Sequence, residues 1–474
     1  MDNKRKDGIL ENYCKLKENG TTVRTEVLAG FTTFITIAYI LILNPQILSD
    51  PFVIMGQADY ATKISNGVFI GTCLGAFIGT ILVALYAKLP FAQAPGMGLN
   101  AFFAYKVVLG MGYTYAQTLV VVFISGILFI VITKIGLREA IIRSIPDAVK
   151  KAITPGIGLF ITIIGLKNSG LIVANPATLV SMVDFAQWRN PDADMALISG
   201  ALVAFIGLII MAVLHARRVK GSIFIGIVAA TVIGIPLGVT SIGNLNLSLG
   251  HKFADFMEVS FMNLDFAGLF AGDNLIETIF TVTMLVISFS LVNMFDSIGT
   301  LLGAAKQSGM IDENGEVINM KQALMSDAIS TAAGAMLGTS PVPPVVESRA
   351  GIAEGGRTGL TSLVTALLFL AAIIFAPIVG IVPGAATAPA LIFVGILMMS
   401  NVKDVDFSEM SDALPSFCTI IFMPFTYSIA NGISMGLITF CLVKLFTGKT
   451  KEIKLLTAIV ALVFVARYAF MTLG

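Results

Sequence analysis

Three carboxylates stand inside apolar stretches of this chain, where a charged group is costly unless it is paired, hydrated or protonated. In SLVNMFDSIGTLLG, residues 290–303, Asn293 and Asp296 are three positions apart and share one helical face, with Thr300 a turn beyond. Asp327 lies in MSDAIS, and Glu347 follows three prolines in GTSPVPPVVESRAGIAEGG, residues 338–356. Two carboxylates sharing a partly dry cavity can do two jobs: protonated, one carries a coupling proton; ionised, it accepts hydrogen bonds from ligand N–H groups. Binding and proton uptake are then linked, which is the physical basis of symport. The competing use of such a group is an internal ion pair or a helix cap. That alternative weighs most for Asp327, which sits near a helix start.

Two interrupted stretches must position these groups. In PFAQAPGMGLNAFFAYKVVLG, residues 90–110, Pro95, Gly96 and Gly98 oppose a regular helix before LNAFFAY restores helical character. In the second, Pro341, Pro343 and Pro344 forbid a regular helix, and the residues after them can supply a short one ending at Gly355 and Gly356. Each could be a loop between ordinary helices. Irregular backbone at membrane depth is tolerated only where protein or a watery cavity satisfies it, so a matched pair points instead to a transport site near the midplane.

The composition places both breaks in a membrane. The chain of 474 residues is 56% hydrophobic and only 12% charged, against roughly a quarter charged in soluble domains. A net charge of +1 gives no reason to expect nucleic acid as a partner. Cys14, Cys73, Cys418 and Cys441 fall in no metal-ligand or redox spacing and read as buried free thiols. No metal or cofactor is implied. Residues 1–26 carry Lys4, Arg5, Lys6, Lys15, Lys17 and Arg24 and read as a solvated cytoplasmic arm rather than a signal peptide.

Apolar runs long enough to cross a bilayer occur at 27–48, 66–87, 115–136, 153–174, 195–215, 221–239, 276–304 and 358–383. Shorter or merged runs at 322–338, 386–400, 413–430 and 431–447, with the two broken stretches, bring the count to fourteen spans. The run 453–473 is surplus to that count. With the N-terminus inside, Lys88, Arg138, Arg143, Lys150, Lys151, Arg217, Arg218, Lys220 and Lys403 fall on the cytoplasmic side, as the positive-inside rule requires. The loop 240–275, with Asp255, Glu258, Asp265 and Asp273 against Lys252, falls outside. It divides the chain into two halves of seven spans. Seven is odd, so the halves enter the membrane in opposite orientations, and each break occupies the third place in its half.

EVLAGFTTFITIAYILILNPQIL (26–48), APGMGLNAFFAY (94–105), FDSIGTLLG (295–303) and VVESRAGIAEGGRTGLTSL (345–363) resemble the AzgA-like purine permeases of the nucleobase cation symporter-2 superfamily. The resemblance implies an all-α polytopic membrane fold of fourteen spans as seven-plus-seven inverted repeats, with short extended strands in broken spans 3 and 10. It implies a core domain of 27–136 and 276–383, and a gate domain of 153–239 and 386–447, leaving 448–474 as a C-terminal apolar segment. The implied activity is proton-coupled import of hypoxanthine, guanine or adenine across the plasma membrane, with proton, purine and lipid as partners, and an assembly that allows a homodimer. By motif, Asp296 and Glu347 would contact purine N–H groups or the coupling proton. Asn100 would orient the ring, and Asn293 and Thr300 would line the pocket. The chain departs from the family pattern at Pro341, Pro343 and Pro344, where relatives usually carry Thr or Ser, and at Arg349, where they carry a small residue. Asn293 also replaces an acid found in some fungal relatives.

Two other classes compete. An anion carrier of the same architecture would use Arg349 as its charge, against which Asp296 and Glu347 argue. An intramembrane aspartyl protease would need Asp296 and Asp327 as a dyad, yet no G-x-G-D stretch frames either, and no zinc-protease, serine-hydrolase or phosphate-loop pattern occurs. The chain therefore does not read as an enzyme.

Overall fold

The computed structural model describes residues 13–136, 145–190, 193–241, 248–271, 275–308, 310–311 and 317–471. Lys4, Arg5, Lys6, Arg138, Arg143 and Asp273, which enter the charge pattern, lie outside these residues. The first span is bent: α1 (Val23–Ile37) and α2 (Ile40–Ile54) meet at a turn over 38–39. Next come α3 (Ala58–Leu82), the short α4 (Met97–Ala101) continued by a wider π-helical stretch (Phe102–Gly110), and α5 (Tyr115–Lys134). Then follow α6 (Asp147–Asn168), α7 (Met195–Ala216) and α8 (Ser222–Gly234). The stretch 169–194 holds an antiparallel hairpin, Ile172–Asn175 paired with Leu179–Met182, which the apolar run 153–174 concealed.

After α9 (Leu249–Asp255), the second half runs α10 (Leu275–Ser308), α11 (Met320–Met336), α12 (Ser348–Ala353), α13 (Gly359–Ala372), α14 (Gly384–Met399), α15 (Met410–Phe425) and α16 (Ile429–Phe446). Among the described residues, nine helical stretches are long and apolar enough to cross a membrane. Shorter apolar helices at Met97–Gly110, Ser222–Gly234 and Met410–Phe425 fall at further positions of the fourteen-span order. Large apolar side chains such as Phe205, Ile209, Ile374, Phe375, Phe417 and Phe446 are exposed, as lipid-facing surfaces require. The surplus helix α17 (Leu455–Met471) lies alongside α16 and runs antiparallel to it, its Tyr468 hydroxyl paired with Ser434 at 2.6 Å near the start of α16.

The helices sort by packing. α1 and α3 pack on α13, and α5 on α10 and α11; separately, α6 packs on α14, α15 and α16, and α7 on α8 and α14. Within the 240–275 loop, residues 248–271 are folded rather than trailing. Asn66 of α3 donates to Asp255 at 2.6 Å and accepts from Lys252 at 2.5 Å, which fixes α9 to that end of the bundle.

Two expectations change on inspection. The arm does not stay solvated to residue 26, because α1 begins at Val23 and Glu26 is fully buried. Its carboxylate accepts from the N–H groups of Arg357 (2.8 Å) and Thr361 (3.0 Å) and from the Thr361 hydroxyl (2.6 Å), capping the start of α13 from another span. Of the four free thiols, Cys73 and Cys418 are buried, whereas Cys14 and Cys441 are half-buried.

Candidate substrate site between the two broken spans

Residues 89–96 and 339–345 are non-helical, and they lie side by side. Gln93 and Pro344 form an isolated antiparallel bridge. Around it, the N–H of Ala94 donates to the Pro343 carbonyl (3.1 Å), that of Gly96 to Pro341 (3.2 Å), and that of Val345 to Ala92 (3.0 Å). Pro341 and Pro343 thus enter the ladder through their carbonyls alone, which is why residues without an N–H are accepted here. On its outer side Gln93 is closed off by the Thr80 hydroxyl, which accepts from its N–H and donates to its carbonyl. The two breaks are therefore paired to each other, through one isolated bridge rather than as regular strands.

From this pairing each break turns into a half-helix: α4 starts after Gly96, and α12 starts after Glu347. Asn100 ties the two together, its Oδ1 accepting a short hydrogen bond from Ser340. Its Nδ2 faces the Met97 sulfur at 4.0 Å, a weak acceptor. Asp296 of α10 closes against the same point. A Cβ placed on Gly96 would stand in ordinary contact with Asp296 Oδ2 at 3.5 Å and crowd the Pro343 ring at 3.0 Å, so three elements converge at this glycine.

Asp296 and Glu347 are both half-buried, and Gly299, one turn along α10 from Asp296, is exposed. Asp296 lies within electrostatic reach of Glu347 and Asp327. Glu347 Oε1 accepts from the Tyr39 hydroxyl at 2.6 Å, and Tyr39 is buried at the α1/α2 turn. Tyr39 was missed in the sequence because a tyrosine inside ITIAYILIL reads as core. The turn that presents it leaves no proline or glycine as a signal.

The remaining residues are held differently. Asn293 turns its amide nitrogen to α11, donating to Asp327 Oδ1 (3.0 Å) and Thr331 Oγ1 (3.4 Å). Its Oδ1 is buried without a partner. Ser297 donates to Asp327 Oδ2 at 2.7 Å, and Asp327 is fully buried. The competing use weighed for Asp327 was an internal structural one, and here it is an acceptor that joins α10 to α11. Thr300 is buried beyond Asp296. Arg349 is half-buried with its Nε unpartnered, and its guanidinium lies on α10, where a Cβ on Gly303 would collide with Nη2.

Broken spans paired at their middles, with half-helices on either side, define a membrane transporter by architecture. Comparison with known proteins agrees. A model described as a permease family matches residues 24–435, and the chain belongs to that family. It is 40% identical to adenine permease AdeP of Escherichia coli (strain K12), over 98% of this chain and 96% of the relative. It is 39% identical to guanine/hypoxanthine permease PbuO of Bacillus subtilis (strain 168), over 95% and 98%. In fold it resembles the transmembrane domain of a cyanobacterial bicarbonate transporter, BicA (TM-score 0.60, 18% identity, 86% of this chain and 97% of that one). SLC26A9 matches at TM-score 0.60 and 13% identity, over 93% of this chain and 66% of that one. The chain is thus a multi-pass membrane protein of the seven-plus-seven inverted-repeat class, in a family of nucleobase permeases.

Proposed function

We propose that the chain imports purine nucleobases across the cell membrane by proton symport, with its N-terminus cytoplasmic. The observation that carries this reading is the convergence of two half-buried carboxylates, Asp296 and Glu347, on the paired breaks. A purine ring offers N–H donors along its edges, and these carboxylates are acceptors held on opposite elements. Asn100 Nδ2 supplies a donor for a ring nitrogen or carbonyl. Asn293 acts from behind: its nitrogen is spent on Asp327, so it fixes the α10 face on which Asp296 and Thr300 sit. The relatives named as adenine and guanine/hypoxanthine permeases support the ligand class. They also favour it over an anion, although Arg349 stands nearby.

The two packing groups support an alternating-access mechanism, with spans 1–4 and 8–11 as core and spans 5–7 and 12–14 as gate. At the end bearing the 240–275 loop, the Tyr105 hydroxyl donates to Asp50 Oδ2 (2.7 Å) and accepts from Asn168 of α6 (2.7 Å). Gln46 donates to the Val382 carbonyl at 2.7 Å. At the other end, Lys220 pairs with Glu354 at 2.6 Å. These polar contacts stand at the two ends of an interface whose middle carries apolar packing, such as Gly98 against Ile157 and Ile429, so each end can open while the other holds.

Uptake of labelled hypoxanthine, guanine and adenine into vesicles, with and without an imposed pH gradient, tests this. Accumulation driven by an inward proton gradient is the expected result. Accumulation indifferent to the gradient would eliminate symport, and absence of purine uptake would eliminate the ligand class.

A further inference from the structure

We propose that Tyr39 sets which purine the site prefers, by withdrawing one oxygen of Glu347 from ligand recognition; this rests on the purine reading above. Tyr39 stands where α1 gives way to α2, and the turn is tightened there by i→i+3 bonds, Leu41 N–H to Ala38 and Ile42 N–H to Tyr39, each 3.1 Å. That turn presents the phenol to the other half of the chain, where it donates to Glu347 Oε1 at 2.6 Å. A bond of this length to a carboxylate is of the strong, charge-assisted kind. The ring is 1% exposed, so water does not compete for the hydroxyl.

A carboxylate with both oxygens free grips two adjacent N–H donors at once. Guanine offers such an edge, N1–H beside its 2-amino group. Hypoxanthine offers N1–H alone there, and adenine pairs its 6-amino donor with an N1 acceptor. With Oε1 already accepting from Tyr39, a second donor there would share an acceptor in use, so Oε2 is the one full-strength acceptor Glu347 has left for a ligand. A 2-amino group then leaves water without gaining a partner on Glu347, a penalty that sites use to discriminate. Tyr39 is accordingly a positioning residue, acting through Glu347, that favours purines lacking the 2-amino group.

Equilibrium dialysis of labelled hypoxanthine, adenine and guanine against the purified full chain, wild type and Tyr39→Phe, tests this. The wild type is expected to bind guanine more weakly than hypoxanthine. In Tyr39→Phe, which keeps the ring and loses only the hydroxyl, guanine should gain about five-fold relative to hypoxanthine. A purely structural role for Tyr39 would weaken all three alike; that result, or an unchanged ratio, overturns the proposal. Wild-type binding of guanine as tight as hypoxanthine overturns it too, whether or not the variant folds. No saturable binding of any of the three by the wild type would overturn the purine reading and this proposal together.

Discussion

Asp296 and Asp327 look alike in the sequence, each an aspartate beside a serine in an apolar helix, yet the structure treats them oppositely. Asp327 is fully buried, and both of its oxygens accept from α10, from Asn293 and Ser297. Asp296 is half-buried, with Glu347 within electrostatic reach and Gly299 exposed one turn away. The first acid spends its acceptors inside the protein; the second is partly exposed beside the paired breaks. Intramembrane acids therefore divide by whether their acceptors are already used, which burial and partners reveal and residue type does not.

The largest expected effect lies on the open side of this comparison. Glu347→Gln and Asp296→Asn each remove a charged acceptor while preserving shape. Each should weaken purine binding by about 30-fold or more, in line with about 2–3 kcal/mol for a hydrogen bond to a charged group. Thermal melting of the detergent-purified proteins should stay near wild type. Loss of folding with either change would place these acids with Asp327 instead.

On the closed side, Asp327→Ala should act on stability. It removes the acceptor these two donors share, leaving Asn293 only the longer bond to Thr331 Oγ1 (3.4 Å) and Ser297 only the Asn293 carbonyl (2.8 Å), at about 1–3 kcal/mol in all. Melting temperature and yield should fall, while the protein that folds should keep purine affinity within about three-fold. A large loss of affinity at unchanged melting temperature would show Asp327 to be part of the ligand site.

How much of this was legible beforehand follows from which residues punctuate. Pro95, Gly96, Pro341, Pro343 and Pro344 break helical periodicity, so the two breaks stood out, and Asp296 and Glu347 stood out because charge is rare in apolar runs. The register that pairs Gln93 with Pro344 depends on contacts across the whole chain and leaves no local mark. Glu26 was misjudged because it follows a basic arm, and nothing nearby announces that α13 needs a cap. The hairpin over 172–182 was hidden because its first strand continues the apolar run of α6.

Smaller effects sharpen the same contrast. Pro343→Thr keeps the carbonyl that accepts from Ala94, so the bridge should survive, and purine affinity should hold or improve within about three-fold. A marked fall in melting temperature would mean that the ring itself braces Gly96 and Asp296. Gly303→Ala should do least, because its new methyl would meet the far end of the flexible Arg349 side chain, which can move aside. A shift under about 1 kcal/mol in stability is expected, and Arg349→Ala in the same background should remove it. A larger, uncorrected loss would show that the backbone of α10 itself cannot accept a side chain there.

The most direct test is an experimental structure of the full chain with a transportable purine bound. The ring should lie between the starts of α4 and α12, with ring N–H groups at about 3 Å from Glu347 and Asp296 and nothing bound at Asp327. A purine resting elsewhere, for example at the seam of Asp50, Tyr105 and Asn168 with both central carboxylates untouched, would contradict the account.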